Sequence, residues 1–465
     1  MPTLPSPRLQ ALLLALTTAL CGCASWRVDR AVGAAAGFAS HTLCDDVFVT
    51  GVEPGTAYAE RVAPLPGMGL VRWALQHQVD TQRREVTVTI GDTVRRARWR
   101  QGLGCVALPG EVPDLRPDLA TPAEAAPAPD PWGPEPVRAI DGRLDDVLQR
   151  ALADQPGQPP HRTKALLVLH HGRPVAEAYA PGYGVDTPVL GFSMSKSLTN
   201  ALVGALVQQG RLSLAGPAPV PAWHTRPDDA RGAITVEQLL RQTSGLDLPQ
   251  DNSGFDLNAH VMYTVPDKAA AVVAAGLAAA PGERWAYTDT HYLLLGRLAL
   301  DALGGEPAEL LRFATRELFA PAGLRHVHLD LDAAGTPIAS SHGLASARDW
   351  ARLGQLFLDD GVAGGRRLLP PGWVAMSTTP TLDTGYGAGW WTNRRPGLVP
   401  GWGVPWGLPG APADTFFARG FMGNFVVVVP SRRVVLVRLS VSTQRGDDIA
   451  ETDRIVAEVL QALPR

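Results

Sequence analysis

Ser193 and Lys196 stand three residues apart in the stretch Phe192-Ser193-Met194-Ser195-Lys196. Around them Met194, Leu198, Ala201, Leu202, Ala205 and Leu206 recur at helical spacing, and Gly210 supplies a stop. The pattern predicts a helix with Ser193 at its start and Lys196 one turn on, on the same face. A hydroxyl is a weak nucleophile until a nearby base takes its proton, and a lysine can do so once desolvation lowers its pKa. The helix N-terminus favours the anion that develops at Ser193. Lysine is scarce: Lys164, Lys196 and Lys268 are the only three among 42 Lys and Arg residues. A Lys kept in so Arg-rich a chain offers a removable proton, which Arg does not. Taken alone, the pair also fits a solvated Ser–Lys couple on a helix face. A Ser-His-Asp enzyme needs a Gly-x-Ser-x-Gly elbow, and Ser195 occupies the place of its second Gly.

The elements that must position this pair belong to a chain of 465 residues, enough for two or three domains. With 45% hydrophobic and 19% charged residues it is globular, and a net charge of −3 argues against a nucleic-acid partner. No apolar run is long enough to span a bilayer. Residues 1–23 read as a lipoprotein-type signal: Arg8, an apolar run from Ala11 to Leu20, then Cys21-Gly22-Cys23. This end resembles a bacterial lipobox, which implies lipidation of Cys23 and an exported protein anchored in the cell envelope, facing the periplasm from the outer membrane because Ala24 follows. Residues 24–110 form a small β-rich module, with Glu85 to Ile90 and Arg95 to Arg100 flanking a Gly91-Asp92 turn. Cys44 and Cys105 remain there, and in an oxidising compartment they read as one disulfide. Residues 111–137 are a Pro/Ala-rich linker, and residues 138–465 one large domain. The large domain opens with a helix from Ile140 to Ala153 and a strand from Ala165 to Leu169. It closes with strands Phe425 to Val429 and Val434 to Val437 and a helix from Asp447 to Leu463. Strands at both ends with helices between them predict an antiparallel sheet built from both termini.

Several stretches in order carry a resemblance: Leu169-His170-His171-Gly172, Phe192 to Thr199, Leu239 to Leu246, Pro281 to Thr290, Ala345 to Gly354 and Phe417 to Asn424. Together they resemble the serine β-lactamase superfamily, nearest to its class C-like branch of β-lactamases, family VIII esterases, D-aminopeptidases and 6-aminohexanoate-dimer hydrolases. The resemblance implies an α+β fold, three layers with an antiparallel sheet and a helical subdomain. It implies a serine hydrolase that cleaves a small-molecule ester or amide through an acyl-enzyme, with no cofactor and no metal. Ser193 matches the nucleophile, Lys196 its partner base, and Tyr287 the tyrosine that relays protons. The oxyanion would sit between the backbone N–H groups of Ser193 and of Phe421, just after Gly420. A β-lactamase or D-Ala-D-Ala peptidase is an alternative, as is an envelope binding protein without turnover.

Two positions depart from the pattern. Asp289 stands where relatives have Asn. Beside Lys196 its carboxylate would raise the lysine pKa and move the base role toward Tyr287; otherwise it caps a helix starting near Thr290. The third motif reads Ala418-Arg419-Gly420, and strand alternation turns Arg419 away from the face shared by Ala418 and Gly420. The expected consequence is weak recognition of carboxylated substrates, β-lactams included. Trp390, Trp391, Trp402 and Trp406 could wall a site for an apolar substrate or simply pack under a Pro-rich loop. The alternation of His326, His328, Asp330 and Asp332 reads as a solvated strand face rather than a metal site.

Overall fold

The computed structural model describes residues 28–108, 129–154, 160–251, 253–394, 397, 403, 405–443 and 447–464. The signal with Cys23, most of the linker and Trp402 lie outside the described residues.

The first module opens with a helix, α1 (Val28–Asp45), followed by a four-stranded antiparallel meander, β1 (Leu75–Asp80), β2 (Glu85–Ile90), β3 (Thr93–Arg100) and β4 (Gly104–Leu108). The strand expectation holds where periodicity predicted it: Ile90 pairs with Thr93 across the Gly91-Asp92 turn. The description as β-rich needs correction, because α1 is the longest element of the module. Its buried residues are mostly small or polar, with Leu43 the one large aliphatic among them, so periodicity gives a weak signal. Small residues let α1 come close to its neighbours: a Cβ on Gly37 would lie 2.2 Å from the Tyr263 carbonyl oxygen. Cys44 at the end of α1 and Cys105 on β4 form a disulfide, with Cα atoms 6.0 Å apart.

The large domain is built on a six-stranded antiparallel sheet. Its early elements are α2 (Gly142–Leu152), β5 (Thr163–His170) and β6 (Arg173–Tyr179). The middle contributes β7 (Val189–Leu190), α3 (Ser195–Gln208), α4 (Leu257–Thr264), α5 (Asp289–Asp301), β8 (His328–Leu329), β9 (Gly343–Ala345) and α6 (Ala347–Leu358). Its late elements are β10 (Trp391–Thr392), β11 (Phe416–Gly420), β12 (Asn424–Val429), β13 (Val434–Ser440) and α7 (Asp447–Ala462). The sheet order is β10-β11-β12-β13-β5-β6, so the two ends of the domain meet where Val435 pairs with Leu169 and Val437 with Leu167.

Each central strand is apolar on both faces, and the faces go to different layers. Leu167, Leu169, Val426, Val428, Val435 and Val437 pack toward α3 and α6. Leu166, Val168, Val427 and Leu436 pack toward α2 and α7, meeting Leu144, Leu148, Ile455 and Val459. This is the three-layer α+β architecture expected from the sequence. Residues 130–137 are docked rather than free: Arg352 binds Asp130 at 2.6 Å, and buried Arg348 reaches the Glu135 carbonyl at 2.8 Å and the Glu177 carboxylate at 2.8 Å.

The disulfide closes a separation of 61 residues. On the chain-entropy model that stabilises the module by roughly 4 kcal/mol. Joint replacement Cys44→Ala and Cys105→Ala should lower the first urea-unfolding transition by about that amount; an unmoved midpoint would contradict the tie.

Candidate active site

Ser193 occupies a 3-10 turn, Phe192–Met194, that runs directly into α3. Phe192 holds a left-handed backbone, φ +47°, a strain of the kind that clusters where a side chain must be aimed. The turn is pinned on two sides. The Gly191 N–H donates to the Gly343 carbonyl at 2.9 Å. The end of β11 meets the same residue: a Cβ on Gly420 would lie 2.0 Å from the Gly191 oxygen. Only glycine lets that strand end, followed by Phe421, approach the Ser193 turn so closely.

Lys196 is buried, 1% exposed, and its ammonium is set among hydrogen-bond acceptors. Nζ donates to Ser193 Oγ at 3.1 Å, to Asp289 Oδ1 at 2.5 Å and to the Ser340 carbonyl at 3.0 Å. Burial pushes the Lys196 ammonium down, but the Asp289 carboxylate and, less, Tyr287 outweigh it and hold it above its ordinary 10.5. The helix-cap alternative for Asp289 is thereby resolved. Thr288 is the N-cap of α5, its Oγ1 accepting from the Thr290 N–H, and Asp289 turns inward to Lys196. Asn258 Nδ2 donates to the other Asp289 oxygen at 3.2 Å, and the Asp289 N–H donates to Gln250 Oε1 at 2.8 Å.

Tyr287 lies beside this pair, with Lys196 Nζ 4.9 Å from its ring centroid. Its ring stacks on Trp391 at 5.8 Å and meets Tyr386 edge-on at 5.7 Å. The tryptophans therefore divide. Trp391 and Trp406 stack on each other and form the aromatic group around Tyr287, whereas Trp390 packs into the other core against Phe357 and Phe416.

Gln242, Gln250, Asn258, His291 and Ser340 were not singled out by sequence. Gln242 Oε1 accepts from the Thr288 N–H at 3.1 Å and faces His291 Nδ1 at 2.5 Å; its carbonyl accepts from the Ala286 N–H at 2.9 Å. It thus clamps the segment carrying Tyr287 and Asp289. Burial, helped by the Lys196 charge, pushes His291 down to about 3, so it stays a neutral hydrogen-bonding partner. The only sequence signal was Gln242's place in the Leu239 to Leu246 motif.

Ala418 is buried in the core with Met194 and Leu198, while Arg419 points to the opposite face and pairs with Asp448 at 3.2 Å. The third motif thus brings no cation toward Ser193. The reading of His326 to Asp332 as a solvated strand face is wrong: β8 has two residues, and Asp330 is fully buried. His326 instead pairs with Asp186 at 3.0 Å.

The first module also reaches this region. Phe38 stacks on Phe192 at 6.4 Å and meets Tyr263 edge-on at 5.4 Å. Arg61, paired with Asp46 at 2.6 Å, lies 5.9 Å from the Phe192 ring and touches Met422 Sδ. Lys164 reaches Glu60 at 2.7 Å. Residues beside Ser193 and Phe421 are thus backed from outside the large domain.

Comparison with known proteins follows the same outline. The family profile Beta-lactamase matches residues 148–461. The chain is 28% identical over 324 residues to the 6-aminohexanoate-dimer hydrolase of Paenarthrobacter ureafaciens, covering 62% of this chain and 76% of that protein. A penicillin-binding protein homologue from Caulobacter crescentus superposes with a TM-score of 0.54 at 19% identity, over 71% of this chain and 100% of that one. EstA from Arthrobacter nitroguajacolicus gives 0.51 at 16% identity, over 69% and 98%.

Asp289→Asn removes the strongest cause that raises Lys196 and leaves its burial in place. Because the proposed mechanism needs the Lys196 cation, the falling limb of the pH–rate profile for an aryl ester should therefore move to lower pH by at least about one unit. A limb that stays in place would show that Asp289 does not govern the lysine charge. By linkage, the pair contributes to wild-type stability below the ordinary lysine range, and that contribution is lost as pH rises through the raised Lys196 value.

Proposed function

The chain belongs to the Beta-lactamase family and is a serine hydrolase of ester or amide bonds, and we propose that its acyl-enzyme forms on Ser193. The observation that carries this assignment is the contact of Lys196 Nζ with Ser193 Oγ at 3.1 Å, inside a buried polar group that includes Asp289.

Ser193 Oγ attacks the substrate carbonyl carbon. With Lys196 held as an ammonium, the Ser193 proton passes to the Tyr287 oxygen as the Tyr287 hydroxyl hydrogen moves on toward the leaving group, and Lys196 lends its positive charge to both oxygens. The tetrahedral oxyanion accepts from the backbone N–H groups of Ser193 and Phe421, two donors of the kind worth several kcal/mol in a transition state. Collapse expels the alcohol or amine, which takes the proton from Tyr287. A water molecule then attacks the acyl carbon, giving a proton to Tyr287, and the acid leaves as Ser193 recovers its hydrogen.

We infer the substrate class from the side chains near Ser193, Lys196 and Tyr287. Ala418 offers no partner to a substrate carboxylate, and Arg419 is engaged with Asp448. Tyr287 stacks on Trp391 and Trp391 on Trp406, so the surroundings of Tyr287 are apolar and aromatic. An uncharged ester or amide with an apolar acyl group fits better than a β-lactam or a peptidoglycan stem. We further infer export and lipid anchoring at Cys23; the Cys44–Cys105 disulfide suits an oxidising compartment. Among the described residues no helix is long and apolar enough to cross a membrane.

The purified chain should gain one fluorophosphonate adduct and hydrolyse p-nitrophenyl butyrate while leaving benzylpenicillin nearly untouched. Ser193→Ala should abolish the adduct and cut ester turnover at least about a thousandfold. Efficient penicillin turnover would favour the β-lactamase or peptidase reading. A folded wild type that neither labels nor turns over would leave a binding protein.

A further inference from the structure

Two buried residues of α1, His41 and Asp45, lie one helical turn apart and face His342, which precedes β9 of the large domain. One ligand atom from each comes within 4.8 Å of the other two. His41 Nδ1, His342 Nε2 and both carboxylate oxygens of Asp45 are buried without a hydrogen-bond partner. Such orphaned polar atoms are costly, and here they lie side by side, the His41 and His342 rings stacked with centroids 4.1 Å apart.

The remaining ring nitrogens are already committed. His41 Nε2 meets Asp330 Oδ2 at 2.9 Å and the Cys105 carbonyl at 2.8 Å. His342 Nδ1 meets Ser341 Oγ at 2.7 Å. Imidazoles that bind a metal characteristically give their other nitrogen to a carboxylate, carbonyl or hydroxyl partner, which fixes the tautomer with a lone pair on the inward nitrogen. Asp330 is itself held, its Oδ1 accepting from the Cys105 N–H at 3.0 Å. Charge points the same way. Asp46 is paired with Arg61, which leaves Asp45 and Asp330 as two buried carboxylates beside the two imidazoles. A divalent cation balances both.

We propose that His41 Nδ1, His342 Nε2 and an Asp45 carboxylate oxygen form a binding site for a divalent late transition metal of the zinc class. Two imidazoles and a carboxylate are a donor set suited to zinc, with a fourth position for water or the second Asp45 oxygen. At the usual bond lengths of about 2.0–2.1 Å the three donors draw inward onto the ion. The site clamps the first module to the large domain. It also steadies the segment around His342, where the Ser340 carbonyl receives Lys196 and the Gly343 N–H donates to Ser195 Oγ at 2.9 Å. The ion is thus structural and takes no part in the hydrolytic step.

The test is metal content of the purified full chain by inductively coupled plasma mass spectrometry, after equilibration with Zn²⁺ and removal of free ion. Wild type and Ser193→Ala should each retain about one zinc per chain. Asp45→Asn and His342→Gln should lose it. Cobalt in place of zinc should give the intense visible bands of a low-coordinate nitrogen–oxygen site. Chelation should lower the thermal midpoint and added zinc restore it. Because the cobalt spectrum and the chelation shift use wild type alone, they decide the matter even if a variant fails to fold. A wild type that retains no zinc and gives no cobalt bands overturns the proposal, and would mean a protonated Asp45 against Asp330. Zinc retained by folded Asp45→Asn and His342→Gln overturns it equally, and a loss of zinc in Ser193→Ala would place the ion elsewhere.

Discussion

The ion pair between Lys196 and Asp289 is the contact on which the rest of the site depends. It is buried, and a buried charge persists only when its partners are fixed. Much of the surrounding polar architecture does that fixing. Asn258 and Gln250 hold Asp289, Gln242 clamps the segment leading into α5, and the Ser340 carbonyl takes a further lysine proton. Asp289 and Ser340 O can only accept. The third direction from Nζ faces Ser193 Oγ, a hydroxyl that can accept from an ammonium or donate to a free amine. The geometry therefore suits either charge state of Lys196, and the Asp289 carboxylate tips the balance toward the cation. Under the proposed mechanism that choice hands proton transfer to Tyr287, whose aromatic surroundings then become part of the catalytic arrangement.

The fold supplies rigidity where this arrangement needs it. The Ser193 turn is held between β9, through Gly343, and the end of β11, through the close approach of Gly420. The first module adds a third support. Phe38 and Arg61 back Phe192, and the disulfide between Cys44 and Cys105 keeps α1 on its own sheet while α1 leans on α4. A module without catalytic residues of its own can thus influence the site through packing alone.

Where sequence spacing and geometry coincide, the sequence was readable. The Ser193–Lys196 spacing predicted their contact because one helical turn leaves few alternatives. The long apolar strands at both ends of the large domain predicted a sheet closed by its termini, and β5 pairs with β13. Arg419 pointing away from Ala418 followed from strand alternation. Contacts between distant segments were not legible. Nothing in the spacing of Asn258, Gln250 or Ser340 ties them to Asp289 or Lys196, since loops bring them there. Helix α1 was hidden because close packing by Ala and Gly leaves no stripe of large residues. The alternation from His326 to Asp332 misled because Asp330 is buried by the first module, which no local pattern reveals.

The charge on Lys196 is the most direct test of this account. The chain holds only three lysines, so side-chain ¹⁵N NMR of lysine-labelled protein gives three signals, and Lys196→Arg identifies the one that matters. The account predicts an ammonium signal for Lys196 across about pH 6 to 10 in wild type. A neutral amine at Lys196 near neutral pH would contradict it, and would return the role of base from Tyr287 to the lysine.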